Sequence, residues 1–198
     1  MQLDKELKKH IDNHDVEAVR NLVSNSTAED FSISIHTCLN FRDPWFPLKG
    51  YADICEICCS SGIFDLNVIE NKKTPLTALA MQCHNSTEEY SKLFDSFLKN
   101  GADPNVLDGY GWSSLAYVIN KLNVSPKIVE SLIDAQANIN LIVSSKDFIG
   151  IKKRSILGMA YYNSPHFFSK LKKQGATMTE EEILELKERN LPLEPESN

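Results

Sequence analysis

Nowhere in the chain does an apolar run approach the roughly 18 residues that span a bilayer, so no transmembrane segment is expected. Positive charge is not in surplus. Lys and Arg total 21 against 27 Asp and Glu, a net charge of -6. A dedicated nucleic-acid binder, whose affinity needs a basic face, is therefore not expected. The phosphate-cradling loops G-x-x-x-x-G-K-[ST] and G-x-G-x-x-G are missing, and the lone Gly109-Tyr110-Gly111 reads as turn glycines. There is no G-x-S-x-G nucleophile turn. His10 and His14 stand four apart with no Glu after His10, so the zinc-protease helix is excluded and both read as solvated. The opening Met1-Gln2-Leu3-Asp4-Lys5-Glu6 is polar and mixed in charge, unlike a secretory leader.

Cysteine is sparse and odd in number: Cys38, Cys55, Cys58, Cys59 and Cys83. With no export signal expected, these read as reduced thiols in a cytoplasmic protein. Cys55 and Cys58 form a C-x-x-C, but zinc needs two further ligands at comparable spacing, and only Cys83-His84 offers any. The same cysteines fall on the apolar face of a helix expected over 52–60, where a free thiol packs as a small hydrophobe. No metal or other cofactor is expected. A cryptic enzyme or metal site using Cys55, Cys58 and Cys83 is the least favoured reading.

What the chain does have is 42% hydrophobic and 24% charged residues over 198 positions, enough for one domain or a short repeat array. Two phrases recur. Leu98-Lys99-Asn100-Gly101-Ala102-Asp103-Pro104-Asn105 has counterparts ending at Asn67, at Asn140 and at Thr177. Its marker positions, Gly62, Gly101, Gln136 and Gly175, step by 39, 35 and 39 residues. Between the markers, Thr74-Pro75-Leu76-Thr77-Ala78-Leu79-Ala80 recurs as Ser113 to Ile119 and as Ser155 to Tyr161. Thr74, Ser113 and Ser155 are N-cap residues by type, and Pro75 suits a first helical turn. Leu76, Leu79 and Ala80 share a helical face. Leu93, Phe94, Phe97 and Leu98, then Ile128, Val129, Leu132 and Ile133, mark second helices. Glycine ends such a helix in the left-handed conformation at little cost, so Gln136 in that place predicts a strained turn.

The paired phrases resemble the ankyrin repeat family, whose unit carries T-P-L-H-x-A-A on its first helix and L-L-x-x-G-A-D-x-N after its second. The resemblance spans roughly 175 residues. It implies an all-α ankyrin-repeat solenoid of about five helix-turn-helix units with short hairpin loops. The array would occupy 1–178, with a capping unit at 3–26 and repeats at 31–67, 71–106, 108–141 and 153–178. A capping helix and Glu-rich tail would fill 179–198.

Three departures stand out. The family's histidine is replaced by Thr77, Ala116 and Gly158, so its inter-unit hydrogen bonds must come from elsewhere. The stretch 41–51, Phe-Arg-Asp-Pro-Trp-Phe-Pro-Leu-Lys-Gly-Tyr, interrupts the second unit, and its two prolines disfavour helix. The stretch 141–153 lengthens the connection before the last unit, as a non-helical loop that is either a binding element or a variable connection. At the C-terminal end, Thr179 and Glu182 fit a capping box, and Ile183, Leu184 and Leu186 can cover the stack. The residues after Asn190 are expected to be loose. The Glu-rich block also resembles the translocation signals of type IV secretion effectors of intracellular bacteria such as Legionella. Cap and signal are compatible.

Carried over by register, the family's variable surface positions fall on Lys73, Met81 and Gln82, with Asn71 and Gly109 in the hairpins. They continue at Tyr110, Trp112, Asn120 and Lys121, then at Lys152, Arg154, Tyr162 and Asn163. Tyr, Trp and Arg dominate interface energetics, which singles out Tyr110, Trp112, Arg154 and Tyr162. The alternative for Trp112 is packing against the next hairpin or the 141–153 loop. The resemblance thus implies a monomeric, non-catalytic module that binds a partner protein through its concave surface. Its setting is either a bacterial effector in a host cytosol or a resident cellular or viral scaffold.

Overall fold

A computed structural model describes residues 2–38, 51–83, 88–122, 124–147 and 150–195. Most of the interrupting stretch, with Trp45 and Phe46, lies outside them, as do His84, Phe148 and Ile149. The described chain is mostly helical. It runs through α1 (Gln2–Asp12), α2 (Val16–Ser24), α3 (Ile35–Cys38), α4 (Tyr51–Ser60), α5 (Pro75–Gln82), α6 (Glu88–Lys99), α7 (Ser114–Ile119) and α8 (Pro126–Asp134). A two-stranded antiparallel hairpin follows, β1 (Ile142–Asp147) and β2 (Gly150–Ser155), then α9 (Ile156–Asn163), α10 (Pro165–Lys173) and α11 (Glu180–Glu188).

The helices pack in two rows. Helix α5 rests on α7 and α7 on α9, while α2, α4, α6 and α8 stack in sequence beside them. The apolar faces expected from spacing meet between the rows. Leu76, Leu79, Ala80, Leu115, Ala116, Ile119, Leu157 and Ala160 are buried against Phe94, Phe97, Ile128, Val129, Leu132 and Phe168 in one continuous core. The small alanines let the first helices approach closely. Cys55, Cys58, Cys59 and Cys83 are free thiols inside this core.

Each first helix starts alike. Thr74, Ser113, Ser155 and Thr179 are extended N-caps whose hydroxyls accept from the amides of Thr77, Ala116, Gly158 and Glu182. Each second helix ends alike too. Gly62, Gly101, Gln136 and Gly175 all have positive φ, with Gln136 at 63°. Gln136 carries the Cβ penalty of that conformation, about 1 kcal/mol. A recurring asparagine joins the turns. Asn67, Asn105 and Asn140 donate through Nδ2 to the carbonyls of Gly101, Gln136 and Gly175. Their Oδ1 atoms accept from the amides of Asp103, Asn138 and Thr177 at 2.7 to 2.9 Å.

Two expectations are corrected. The connection 141–153 is not an irregular loop. It forms most of a β-hairpin in register from Ile142↔Ser155 to Asp147↔Gly150, so the last connection is a small sheet rather than a short turn. Leu184 does not cover the stack and is exposed, whereas Leu186 is buried. After Asn190, the Tyr161 hydroxyl donates to the Pro192 carbonyl (2.9 Å) and Lys172 pairs with Glu194 (2.7 Å).

At the last unit a carboxylate ties α9 to α11. Glu182 Oε1 accepts from the Ser155 amide (3.0 Å), and Oε2 from the Ser155 hydroxyl (2.7 Å) and the Thr179 amide (2.9 Å). Gly158 makes the space for it, since a Cβ there would sit 1.8 Å from Glu182 Oε1. Gly158→Ala is expected to destabilise the chain by about 2 kcal/mol through overpacking. Glu182→Ala is expected to cost about 1–3 kcal/mol through the orphaned Ser155 amide. Combined, they should cost clearly less than their sum, because the new methyl then enters vacated space. Strict additivity in urea melts would refute the pairing.

Candidate functional site

The hairpin tips stand side by side. Glu70 and Lys73 exchange both backbone hydrogen bonds (2.9 and 3.0 Å) around Asn71 and Lys72, which both have positive φ. This two-residue turn has the twist that flanking strands prefer. Asp108 to Trp112 make the next tip, closed by Asp108 N–H donating to Trp112 carbonyl (3.0 Å). The Gly109 amide donates to the Lys72 carbonyl (2.9 Å), and a Cβ on Gly109 would lie 2.7 Å from the Lys72 Cβ. Glycine is therefore required there by the neighbouring hairpin, not by its own turn.

Asp108 holds this junction together. Its side chain is fully buried. Oδ1 accepts from the Tyr110 and Trp112 amides (2.8 and 3.0 Å), and Oδ2 from Lys73 Nζ (2.6 Å) and the Tyr117 hydroxyl (2.8 Å). Lys73 also contacts the Tyr117 hydroxyl, and lies 4.6 Å from the Tyr110 ring centre and 4.2 Å from that of Tyr117. Burial acts to raise the Asp108 pKa, but the bonds from Lys73, the Trp112 amide, Tyr117 and the Tyr110 amide win and lower it. Burial and the Asp108 carboxylate push the Tyr117 hydroxyl up.

On this base Tyr110 stands out, 59% exposed. Trp112 does not. It is half-buried, its ring lies 5.0 Å from that of Tyr117, and its indole N–H donates to the Ser144 carbonyl of β1 (3.0 Å). Trp112 thus ties one hairpin to the next, and Lys73 is an ion-pair partner more than an open cation.

The positions at the ends of the first helices also bridge units. Lys121 Nζ donates to the Met81 carbonyl (2.8 Å), Asn163 Nδ2 to Asn120 Oδ1 (3.0 Å), and the Ser164 hydroxyl to the Lys121 carbonyl (2.6 Å). Partial burial lowers the Lys121 pKa. Met81 is exposed and Gln82 half-buried. At the last unit, Glu185 of α11 reaches Arg154 (2.9 Å), Lys152 (3.4 Å) and Arg189 (2.9 Å), and Arg154 lies 5.3 Å from the Tyr162 ring centre. Burial works to raise the Glu185 pKa, and the two cations of β2 bring it down overall. A groove of about 360 Å³ between β2 and α11 is lined by Lys152, Lys153, Arg154, Glu181, Glu182 and Glu185. Most of the polar members of the expected strip already bond within the fold.

Sequence reasoning missed one set of residues. Ile69, Leu107 and Ile142 are exposed, and each stands two residues after a bridging asparagine. Their signal was aliphatic type at a fixed offset from Asn67, Asn105 and Asn140, in the segment leading into a hairpin.

The cysteines hold no such position. Burial raises the thiol pKa values of Cys55 and Cys59, and pushes Cys83 up to about 11, so these thiols are protonated at neutral pH. Among the described residues, no group of three or more His, Cys, Asp and Glu side chains is placed to hold a metal ion. Among them, too, no helix is long and apolar enough to cross a membrane.

Asp108 sets a pH dependence. It is ionised in the folded chain at pH values where the unfolded chain, near its ordinary 3.8, has taken up a proton. That stability is present above the unfolded value and is lost as pH falls through the lower folded value. Asp108→Asn should flatten this part of the acid slope and cost about 3 kcal/mol at neutral pH by leaving Lys73 without its counter-charge. Urea melts at stepped pH test this, and identical acid slopes would exonerate Asp108. Compared with known proteins, the chain matches no family model, and no curated protein is similar to it.

Proposed function

We propose that the chain is a divergent ankyrin-repeat protein that binds a partner protein without catalysis. The family reading is supported by three features in one register: serine or threonine caps at Thr74, Ser113, Ser155 and Thr179, left-handed turns at the four marker positions, and asparagine bridges between them. A binding role is supported above all by Tyr110. An exposed aromatic ring sits on a backbone fixed by a buried carboxylate, so little ordering entropy opposes association. Met81, Gln82 and Tyr162 extend the contact surface. Trp112, Lys73 and Arg154 act mainly by holding it.

The Glu-rich end carries the finer proposal that the module is a host-directed effector rather than a resident scaffold. Glu182 and Glu185 are used by the fold, while Glu180, Glu181 and Glu188 are exposed and available to a transport receptor.

The test is affinity capture from eukaryotic cell lysate, with Tyr110→Ala/Met81→Ala as the control. A protein retained by the parent chain and lost from the double variant, with matching thermal melts, is the expected result. Retention of the same proteins by both would overturn the assigned surface. For delivery, Glu180→Gln/Glu181→Gln/Glu188→Gln should reduce transfer of a reporter fusion without unfolding α11. Undiminished transfer rejects the signal.

A further inference from the structure

Beyond α11 the chain reads Arg189-Asn190-Leu191-Pro192-Leu193-Glu194-Pro195. Two prolines stand three apart, and a permanent cation stands three before the first. Proline locks φ near about −65°, and the residue before it is steered into the same extended region. A segment of this kind is close to a polyproline II helix before it meets any partner. That helix has three residues per turn, so Arg189, Pro192 and Pro195 would lie along one edge, about 9 Å apart. Leu191-Pro192 and Glu194-Pro195 would form two equivalent dipeptides on it, with Leu193 between them.

The fold holds this segment by few contacts. Pro192 and Glu194 are exposed, and so are Leu191 and Leu193, by 40 and 50%. The Leu191 amide donates to the Leu186 carbonyl (2.9 Å). The Tyr161 hydroxyl donates to the Pro192 carbonyl, and Lys172 pairs with Glu194. Both side chains of that ion pair are half exposed or more, so it contributes little. Tyr161 stands edge-on to Phe168, with ring centres 5.9 Å apart. Aromatic rings, some with a hydroxyl donor, are also what lines the grooves that take polyproline segments. Arg189 is not aligned with the prolines in this state. It pairs with Glu185 (2.9 Å), and Asn190 turns the chain with φ at 53°.

We infer that Arg189 to Pro195 is a docking motif for a partner protein with an SH3-type groove, lined by aromatic rings and closed at one end by a carboxylate, and that Tyr161 holds it in reserve. The arginine gives a nearly symmetric helix its direction, because only one end of the groove can pair with a cation. Docking requires Arg189 to leave Glu185 and Asn190 to leave the left-handed region, so binding opens the end of α11. The motif adds a second contact to the protein-binding reading and does not rest on Tyr110.

The test is an array of purified SH3 domains probed with the full chain and its variants. The parent is expected to bind a subset of the domains. Pro192→Ala/Pro195→Ala and Arg189→Glu, melting as the parent does, should each weaken that binding by about tenfold or more. Leu193→Ala, off the edge, should leave it nearly unchanged. Tyr161→Phe, which removes one restraint and keeps the ring, should strengthen it several-fold. The chain's other P-x-x-P, Pro44 to Pro47, lies outside the described residues, and Pro44→Ala/Pro47→Ala should bind as the parent does. Binding lost with that change instead, binding indifferent to Pro192 and Pro195, or binding weakened by Tyr161→Phe would overturn the inference. A blank array for both the parent and Tyr161→Phe, beside lysate capture that still depends on Tyr110, would remove the motif and leave the contact surface standing.

Discussion

One amide side chain, used three times, sets the geometry of everything else. Asn67, Asn105 and Asn140 each join a donor and an acceptor of the following turn, and no charged group could do both. The bridge fixes where one unit sits on the next. It accompanies the approach of Gly109 to Lys72 and of Asp108 to Lys73 in the neighbouring hairpin. Without that register the aromatic tip and the aliphatic row would be unrelated surface residues.

The hairpin row converts buried polar chemistry into exposed rigidity. Asp108 would be costly inside the fold by itself. Surrounded by two amides, a hydroxyl and an ammonium group, it is kept ionised and pins both sides of the tip. Trp112 continues the connection to β1 through its indole N–H. The residues that a partner can touch are thus few and stationary, and those that hold them still are largely hidden.

Much of this architecture was legible in the chain. The caps, the four left-handed turns and the faces of α5 to α8 follow from local rules: a hydroxyl before a helix, a glycine after one, apolar residues at helical spacing. A marker glycine could even be replaced by Gln136 without loss of the turn, because the stacked neighbours hold it. What was not legible depended on two distant positions at once. Lys73 and Arg154 read as open cations because their carboxylates, Asp108 and Glu185, come from other units. Trp112 read either as an anchor or as packed against the 141–153 stretch; the second holds, but the partner of its N–H, the Ser144 carbonyl, is backbone and not marked by sequence. The β1–β2 hairpin read as a loop because its strands alternate polar and apolar residues only weakly.

Gly158 and Glu182 make the last interface unlike the others. At the corresponding first-helix sites Thr77 and Ala116 carry a Cβ, whereas Gly158 leaves a notch that the Glu182 carboxylate of α11 fills. The array is therefore not freely modular. A unit copied from its middle and spliced before α11 would present a Cβ where the notch must be, so α9 and α11 fit each other and are not interchangeable with the layers before them.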